Sequence, residues 1–376
     1  MKVINARPFV DFKVLTNFSS EVFPNDFFYF NSGRDALLYG LKSINIHPKS
    51  SIIIPGYICN SIILPLKNAG YNLIFVDVDK ELNIPLKKID ELTNSNNIDA
   101  LLIVNYFGFF SNVIDVVRYC KNKNIRVIED CAHGFLSELN GRKAGSFGDI
   151  SIFSKRKVLP IHDGGALKIN IPYSNEITPT KSSIINPIIY LINRAVEFII
   201  IYIRWPNIYS IAIDKFKFFI TSLARHENKE SLSGNNITCI QPSFFLQQYL
   251  SSNKYLNKVI TNRTANFNII NAGAIKLGYT PFCSYLPYGI VPQYSIIYDD
   301  HGGLVEFLRR NSIGASKWPW HDLPAEIRSS KADFPNAIFF DESLVMIPIH
   351  QSLNHSDCTR ILQTLKLWKN IKSNLR

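Results

Sequence analysis

Four short apolar runs, each closing on a proline, a polar or an acidic residue, limit what this chain can fold into. Ser51-Ile-Ile-Ile-Pro55, Leu73-Ile-Phe-Val-Asp77, Ala100-Leu-Leu-Ile-Val-Asn105 and Ile125-Arg-Val-Ile-Glu-Asp130 have the length and composition of buried strands. Between them, Asn60 to Ala69 and Val113 to Asn122 carry helical spacing, and 79–99 is polar. Strands alternating with helices predict an α/β fold with a mostly parallel sheet covered on both faces. Ligands of such sheets collect at the carboxyl ends of the strands. Pro55-Gly-Tyr57, Asn105-Tyr-Phe-Gly108 and Asp130 all fall at those ends, so one site can gather them.

Upstream, Asn31-Ser-Gly-Arg-Asp35 opens a helical pattern through Ala36, Leu37, Leu38 and Leu41. Two readings stand side by side. The helix dipole and unpaired N–H groups suit an anion such as a phosphate at Gly33 and Arg34. Alternatively, the segment is a plain N-cap built on Ser32 or Asp35.

Downstream, Ser146 to Ala166 contains Ser154-Lys-Arg-Lys157, with Lys157 placed 27 positions after Asp130. A lysine amine can condense with an aldehyde cofactor, and a carboxylate can hold that cofactor's ring nitrogen protonated. Lys155-Arg156-Lys157 also reads as a solvated basic loop, which short charge runs usually are. The neighbouring motifs favour the chemical reading.

Apolar residues make up 46% of the 376 positions and charged residues 19%, enough for a sizeable core and two domains. The net charge of +11 suits an anionic small molecule, a membrane surface or nucleic acid. Nucleic acid ranks last, because no long basic block or nucleic-acid motif occurs. The six cysteines are scattered without metal spacing, and read as buried thiols of a reducing compartment. The N-terminus lacks the apolar core of a secretion signal, so a cytoplasmic location is expected.

Residues 184–213 form an unusually apolar segment, interrupted by Arg194 and Glu197. A helix docked in a dimer interface or on the surface is preferred there to membrane contact. Residues 224–238 are polar and read as a loop. From about Gln241 the pattern becomes that of a smaller α+β domain. Phe244 to Ala274 is largely helical, Gly289 to Ile297 and Ser343 to Ile349 carry strand signals, and Ser356 to Lys369 is a closing helix. The expected division is 1–240 and 241–376.

Taken together, Ser32-Gly33-x-x-Ala36-Leu37, Val76-Asp77-Val78-Asp79, Val127-Ile-Glu-Asp-Cys-Ala-His133, Gly141-Arg-Lys-x-Gly-Ser-x-Gly-Asp149, Asp163-Gly-Gly-Ala166 and Ile347-Pro-Ile-His350 resemble one family. It is the DegT–DnrJ–StrS family, the nucleotide-sugar aminotransferases of pyridoxal-phosphate fold type I. The likeness runs from about residue 25 to the end and is weakest between 171 and 233. It implies a large cofactor-binding domain, a smaller C-terminal domain and a homodimer with shared active sites. Lys157 matches the lysine that carries pyridoxal 5′-phosphate and later moves the proton. Asp130 matches the partner of the pyridinium nitrogen, and His133 the residue at the phenolic oxygen. Gly33, Arg34 and Ser154 match phosphate contacts. The segment before Gln241 and Gln248 matches one donated to the neighbouring active site, which brings Asn235 or Asn236 to the partner's cofactor.

The resemblance further implies L-glutamate as amino donor, a keto sugar nucleotide as acceptor and a place in surface-polysaccharide synthesis. Three positions depart from the pattern. Arg34 stands where the family commonly has threonine, and Cys59 stands where an aromatic residue stacks on the ring, with Tyr57 two residues earlier. Ser154 lies only three positions before Lys157. Two other readings remain open. One is a sugar dehydratase of the same fold, against which Lys157 argues because such relatives carry histidine there and His162 is a poor substitute. The other is a non-catalytic relative that binds a ligand or works at a membrane surface through 184–213.

Overall fold

The protein is described here by a computed structural model covering residues 3–11, 13–14, 26–173, 178–181, 188–190, 192, 237, 239–299, 302–319 and 323–373. A seven-stranded sheet organises the first part of the chain. Its strands are β1 (Phe28–Phe30), β2 (Ser51–Pro55), β3 (Asn72–Val76), β4 (Ala100–Val104), β5 (Arg126–Asp130), β8 (Ile150–Ser154) and β9 (Gly165–Ile169), in the order β1-β9-β8-β5-β4-β2-β3. The short hairpin of β6 (Glu138–Leu139) and β7 (Arg142–Lys143) stands apart. Strands β3, β2, β4, β5 and β8 pair in parallel, and β9 and β1 close one side antiparallel. The sheet is therefore mostly parallel, as the sequence predicts.

Strand periodicity explains the two covered faces. Ile52, Ile54, Leu102, Val104, Ile128, Ile150 and Ile152 join Leu37 and Leu41 of the helix Gly33–Ser43 in one core. Ile53, Leu101, Ile103 and Val127 join Ile89, Val113 and Val116 on the other face. Ile89 belongs to a helix, Leu86–Ser95, inside the stretch read as merely polar. Only Ile89 of that helix is buried, so its apolar stripe is too narrow to register as a pattern.

A second core lies farther along the chain. The antiparallel pair β10 (Tyr294–Tyr298) and β11 (Leu344–Pro348) packs with the helices Asn253–Lys276, Leu304–Arg310 and His355–Ser373. The predicted long helix breaks at Ser251, and Ser252 caps the second piece by accepting from Tyr255 N. Asn354 and Asp357 cap the last helix reciprocally, at 2.9 and 3.2 Å. Ile4 is buried in this second core, and its N–H and C=O bond Ser312 and Gly314.

Among the described residues no helix is long and apolar enough to cross a membrane. Apart from 188–190 and 192, the segment 184–213 lies outside the described residues, as does 224–238 apart from residue 237.

Candidate active site

The carboxyl ends of β2, β4, β5 and β8 form one edge of the sheet. The antiparallel pairing sends Phe30 and Gly165 to the same edge, where Gly165 pairs with both Phe30 and Ser154. The helix Gly33–Ser43 starts immediately beyond. Ser32 accepts from Asp35 N at 3.3 Å, and Asp35 Oδ2 accepts from Ser32 N at 3.1 Å, a capping box. That arrangement uses Ser32 and Asp35 and leaves the N–H groups of Gly33 and Arg34 without a protein acceptor among the described residues. The N-cap reading and the anion reading are thus compatible.

A Cβ added at Gly33 would lie 3.3 Å from Phe153 O and 3.9 Å from the Cβ of Ser154, which places the helix start directly against the end of β8. Gly165 is tighter still: a Cβ there would lie 2.3 Å from Ser32 C and O. No backbone can yield by that much without moving the helix start. Gly165→Ala is expected to cost about 2–3 kcal/mol of stability, read as a lower denaturant midpoint at constant slope.

Glu129 and Asp130 are adjacent and project to opposite faces of β5. Glu129 is fully buried and accepts from Asn105 Nδ2, Gly145 N, Cys131 Sγ, Phe147 N, Gly148 N and Ser151 Oγ. It fastens the 144–149 turn to the sheet. Asp130 is also buried, but only its Oδ1 is taken, by Ala132 N at 2.8 Å. Its Oδ2 has no protein partner among the described residues. Burial raises the Asp130 pKa, with Lys157 and the Ala132 N–H opposing that rise.

Lys157 closes a short 3-10 turn, Lys155–Lys157, after β8. Its Nζ lies 3.0 Å from His133 Nε2. The other ring nitrogen, Nδ1, accepts from Phe107 N at 3.2 Å, and the ring stacks on Phe107 at 5.7 Å. Burial, then the neighbouring Lys157, holds the His133 pKa well below the ordinary value. A neutral imidazole whose Nδ1 accepts carries its proton on Nε2. With that tautomer the Nε2–H points at the Lys157 nitrogen, a contact that favours the neutral amine over the ammonium. Consistently, burial lowers the Lys157 pKa, Arg156 and Arg7 push the same way, and Cys59 and Asp130 oppose them. Phe107, which supplies the ordering N–H, has φ 58°, a conformation uncommon for so bulky a residue.

Two lysines share this turn, and their surroundings separate them. Lys155 is fully buried among Phe27, Tyr29 and Phe135, with Nζ 3.8 to 4.9 Å from the ring centres and 3.3 Å from the Tyr29 hydroxyl. Burial lowers its pKa to about 7, although the ring faces favour the cation. Above about pH 7 the unfolded chain binds a proton that the folded chain lacks. Stability should therefore rise with pH from there toward the ordinary lysine value. The slope is at most about 1.4 kcal/mol per pH unit. Lys155→Met should remove that slope, as read by thermal denaturation from neutral to alkaline pH.

Tyr57, expected near the cofactor ring, lies in the core. It is fully buried, donates to Trp318 O at 2.6 Å and packs its ring on Trp318 at 4.7 Å and Phe340 at 5.4 Å. The turn after β2 drives this ring into the core, where it packs on Trp318 and Phe340. Cys59 is half-buried at the N-cap of the helix Asn60–Asn68, with Sγ 2.8 Å from Ser61 Oγ, and near enough to influence Lys157. Ser154 is buried beside Gly33. Arg34 is exposed, and Arg156 reaches from the exposed turn with its guanidinium partly covered, so that desolvation first and then the like charges of Arg7 and Arg34 lower its pKa. Asn235 and Asn236 lie outside the described residues. Sequence reasoning missed Phe107 as a tautomer-setting donor, and only its place in the strand-end stretch Asn105–Gly108 hinted at it.

Residues 27–178 match the DegT/DnrJ/EryC1/StrS aminotransferase family. GDP-perosamine synthase of Escherichia coli O157:H7 is 31% identical over 143 residues, 37% of this chain and 39% of that protein. UDP-N-acetyl-3-dehydro-alpha-D-glucosamine 3-aminotransferase of Acidithiobacillus ferrooxidans is 30% identical over 123 residues, 33% of each chain. The matched stretch thus spans between a third and two-fifths of these curated relatives. Among solved structures, the Helicobacter pylori aminotransferase involved in pseudaminic acid biosynthesis superposes with a TM-score of 0.67 over 99% of this chain and 100% of its own, at 17% identity. A DegT DnrJ EryC1 StrS aminotransferase from Brucella abortus gives 0.64 over 91% and 85%, at 16%. These likenesses extend the fold beyond the matched stretch. Residues 27–178 are thus similar in sequence to the DegT/DnrJ/EryC1/StrS aminotransferase family, and the chain has the fold of solved structures that carry that name.

Proposed function

We propose that this chain is a pyridoxal-phosphate-dependent aminotransferase that moves an amino group from L-glutamate to a keto sugar carried on a nucleotide, in amino-sugar synthesis for a surface polysaccharide. The observation that carries this reading is the Lys157 amine, 3.0 Å from His133 Nε2 on the Asp130 edge of the sheet and lowered in pKa by burial. The residues present fit the cofactor. Asp130 Oδ2 is uncommitted inside a buried carboxylate, as a protonated ring nitrogen requires. Gly33 and Ser154 adjoin at the start of a capped helix, as a phosphate requires.

On this reading Lys157 would hold the cofactor covalently, Asp130 its ring nitrogen, His133 its phenolic oxygen, and Gly33, Arg34 and Ser154 its phosphate. Cys59 would lie beside the ring, and Asn235 or Asn236 would reach the partner's site. When bound, the group supplies an electron-withdrawing ring conjugated to the bond that changes. Asp130 keeps a proton on the ring nitrogen by its charge. Lys157, an amine of lowered pKa, would be the base that takes the proton from the substrate's amino-bearing carbon. His133 holds that amine in line. Arg34, Arg156 and Arg7 make the approach positive, which suits a diphosphate and a dicarboxylate.

The chain, on this reading, forms a homodimer in the cytoplasm, with its domain boundary at about residue 240 and residues 4–11 packed on the second domain. The dimer follows from the resemblance and from the apolar segment 184–213. A sugar dehydratase is the alternative, because GDP-4-keto-6-deoxy-D-mannose 3-dehydratase of Yersinia pseudotuberculosis is 30% identical over 120 residues. Lys157, in place of the histidine of such relatives, favours transamination.

Purified protein supplied with pyridoxal phosphate should develop a near-visible band, and L-glutamate should bleach it. Keto nucleotide sugars should restore the band, with amine appearing in the sugar. A protein that develops no band rules out the reading. A band that glutamate leaves unchanged, while a keto sugar nucleotide loses water, selects the dehydratase.

A further inference from the structure

The turn that carries Lys157 is held from behind by three residues distant in sequence. Lys157 O accepts from Gln293 Nε2 at 3.3 Å. Val158 O accepts from Gln351 Nε2 at 3.1 Å and from Arg263 Nη2 at 3.4 Å. Arg263 ties the set together: Nε donates to Gln351 Oε1 at 3.0 Å, and Nη1 to Gln293 O at 3.1 Å and Pro292 O at 3.5 Å. Arg263 lies midway along the helix Asn253–Lys276, Gln293 precedes β10 and Gln351 follows β11. Three places in the second core thus converge on two consecutive carbonyls.

Arg263 is buried, and no carboxylate pairs with it among the described residues. Burial lowers its pKa to about 10, with Tyr294 and Tyr255 opposing. An unpaired buried guanidinium is costly, and an apolar side chain of similar length often serves stability better. What the guanidinium adds is a rigid planar fork that spans several carbonyls at fixed angles. Here the fork spends its donors on neutral acceptors that flank Lys157.

We propose that Arg263, acting through Gln351 and Gln293, is a positioning residue that fixes the Lys157–Val158 main chain and so aims the Lys157 amine at His133 and Asp130. This rests on the reading of Lys157 as the reacting amine. The groups that face that amine are His133 from the loop after β5, Asp130 from β5 itself, Cys59 before the helix Asn60–Asn68, Arg156 in the same turn and Arg7 from the N-terminal arm. A turn released from the fork moves the amine against all of them at once and toward water.

The test is competitive acetylation of the full-length, cofactor-free chain with acetic anhydride across neutral and alkaline pH, read lysine by lysine by mass spectrometry. In Arg263→Lys, which keeps the charge and loses the fork, the Lys157 acetylation profile should shift about one pH unit to higher pH, with a smaller shift of about half a unit in Gln351→Ala. Exposed Lys366 should be unchanged in both. Gln351→Ala keeps Arg263 on Pro292 and Gln293, so it serves if Arg263→Lys does not fold. Lowered denaturation midpoints with a wild-type Lys157 profile would make the fork purely structural and overturn the proposal. The parent reading fails separately: a cofactor band that survives Lys157→Ala removes the reacting amine, while the acetylation profile still reports whether the fork holds the turn.

Discussion

On the proposed reading, Lys157→Ala should lower the rate of the glutamate half-reaction by about 10³-fold or more, since one group would serve as covalent anchor and as proton carrier. The near-visible band of the cofactor complex should disappear with it. The geometry makes the prediction specific to one of two neighbouring lysines. Lys157 is half-buried and meets His133 Nε2 at 3.0 Å, whereas Lys155 is sealed among three aromatic rings. Lys155→Met should therefore retain the band and most of the rate. Stopped-flow absorbance on the two variants decides the matter, and a Lys157→Ala protein with near-normal bleaching would remove the mechanism.

Asp130→Asn carries the second largest effect, a fall of about 10²–10³-fold in the same half-reaction, within the range of a lost proton-holding group. Asparagine keeps the size of the side chain and can still accept from Ala132 N, so the strand end should survive. What it loses is the charge at Oδ2, the one oxygen left uncommitted. The expected signature is a kcat effect in a folded protein whose unfolding free energy is within about 1 kcal/mol of wild type. An Asp130→Asn variant with an unchanged bleaching rate would show that this carboxylate plays no part beneath a ring. Glu129, its neighbour in sequence, should behave in the opposite way: Glu129→Gln removes a carboxylate with six donors around it and should cost stability first.

Much of the architecture was legible because strand runs such as Ile52–Ile54 and Ala100–Val104 are buried on both faces and must be continuously apolar. The helix Leu86–Ser95 was not legible, because Ile89 alone is buried. The strands flanking Lys157 were hidden for a different reason. Ile150–Ser154 and Gly165–Ile169 are five residues each and are joined by a tight segment rich in charge and turn residues, which reads locally as a loop. Tyr57 shows the limit for single residues. Its position at a strand end was correct for a site, but the turn after β2 gives the ring to Trp318 and Phe340.

The amino-acid sequence by itself determined the first four parallel strands, the acid at the end of one of them, and the helix start at Gly33. Those features are set by local periodicity and by residue type, which neighbours in sequence supply. The motifs singled out Asp130 and Lys157, and only the tertiary structure gave the reason: Glu129 is taken up by the 144–149 turn and Lys155 by aromatic rings. It also decided that Phe107 N–H orders His133 and that Arg263, 106 positions beyond Lys157, holds the turn. Each of those choices depends on a hydrogen-bond partner or a packing surface brought from a distant part of the chain, and no local pattern records which one arrives.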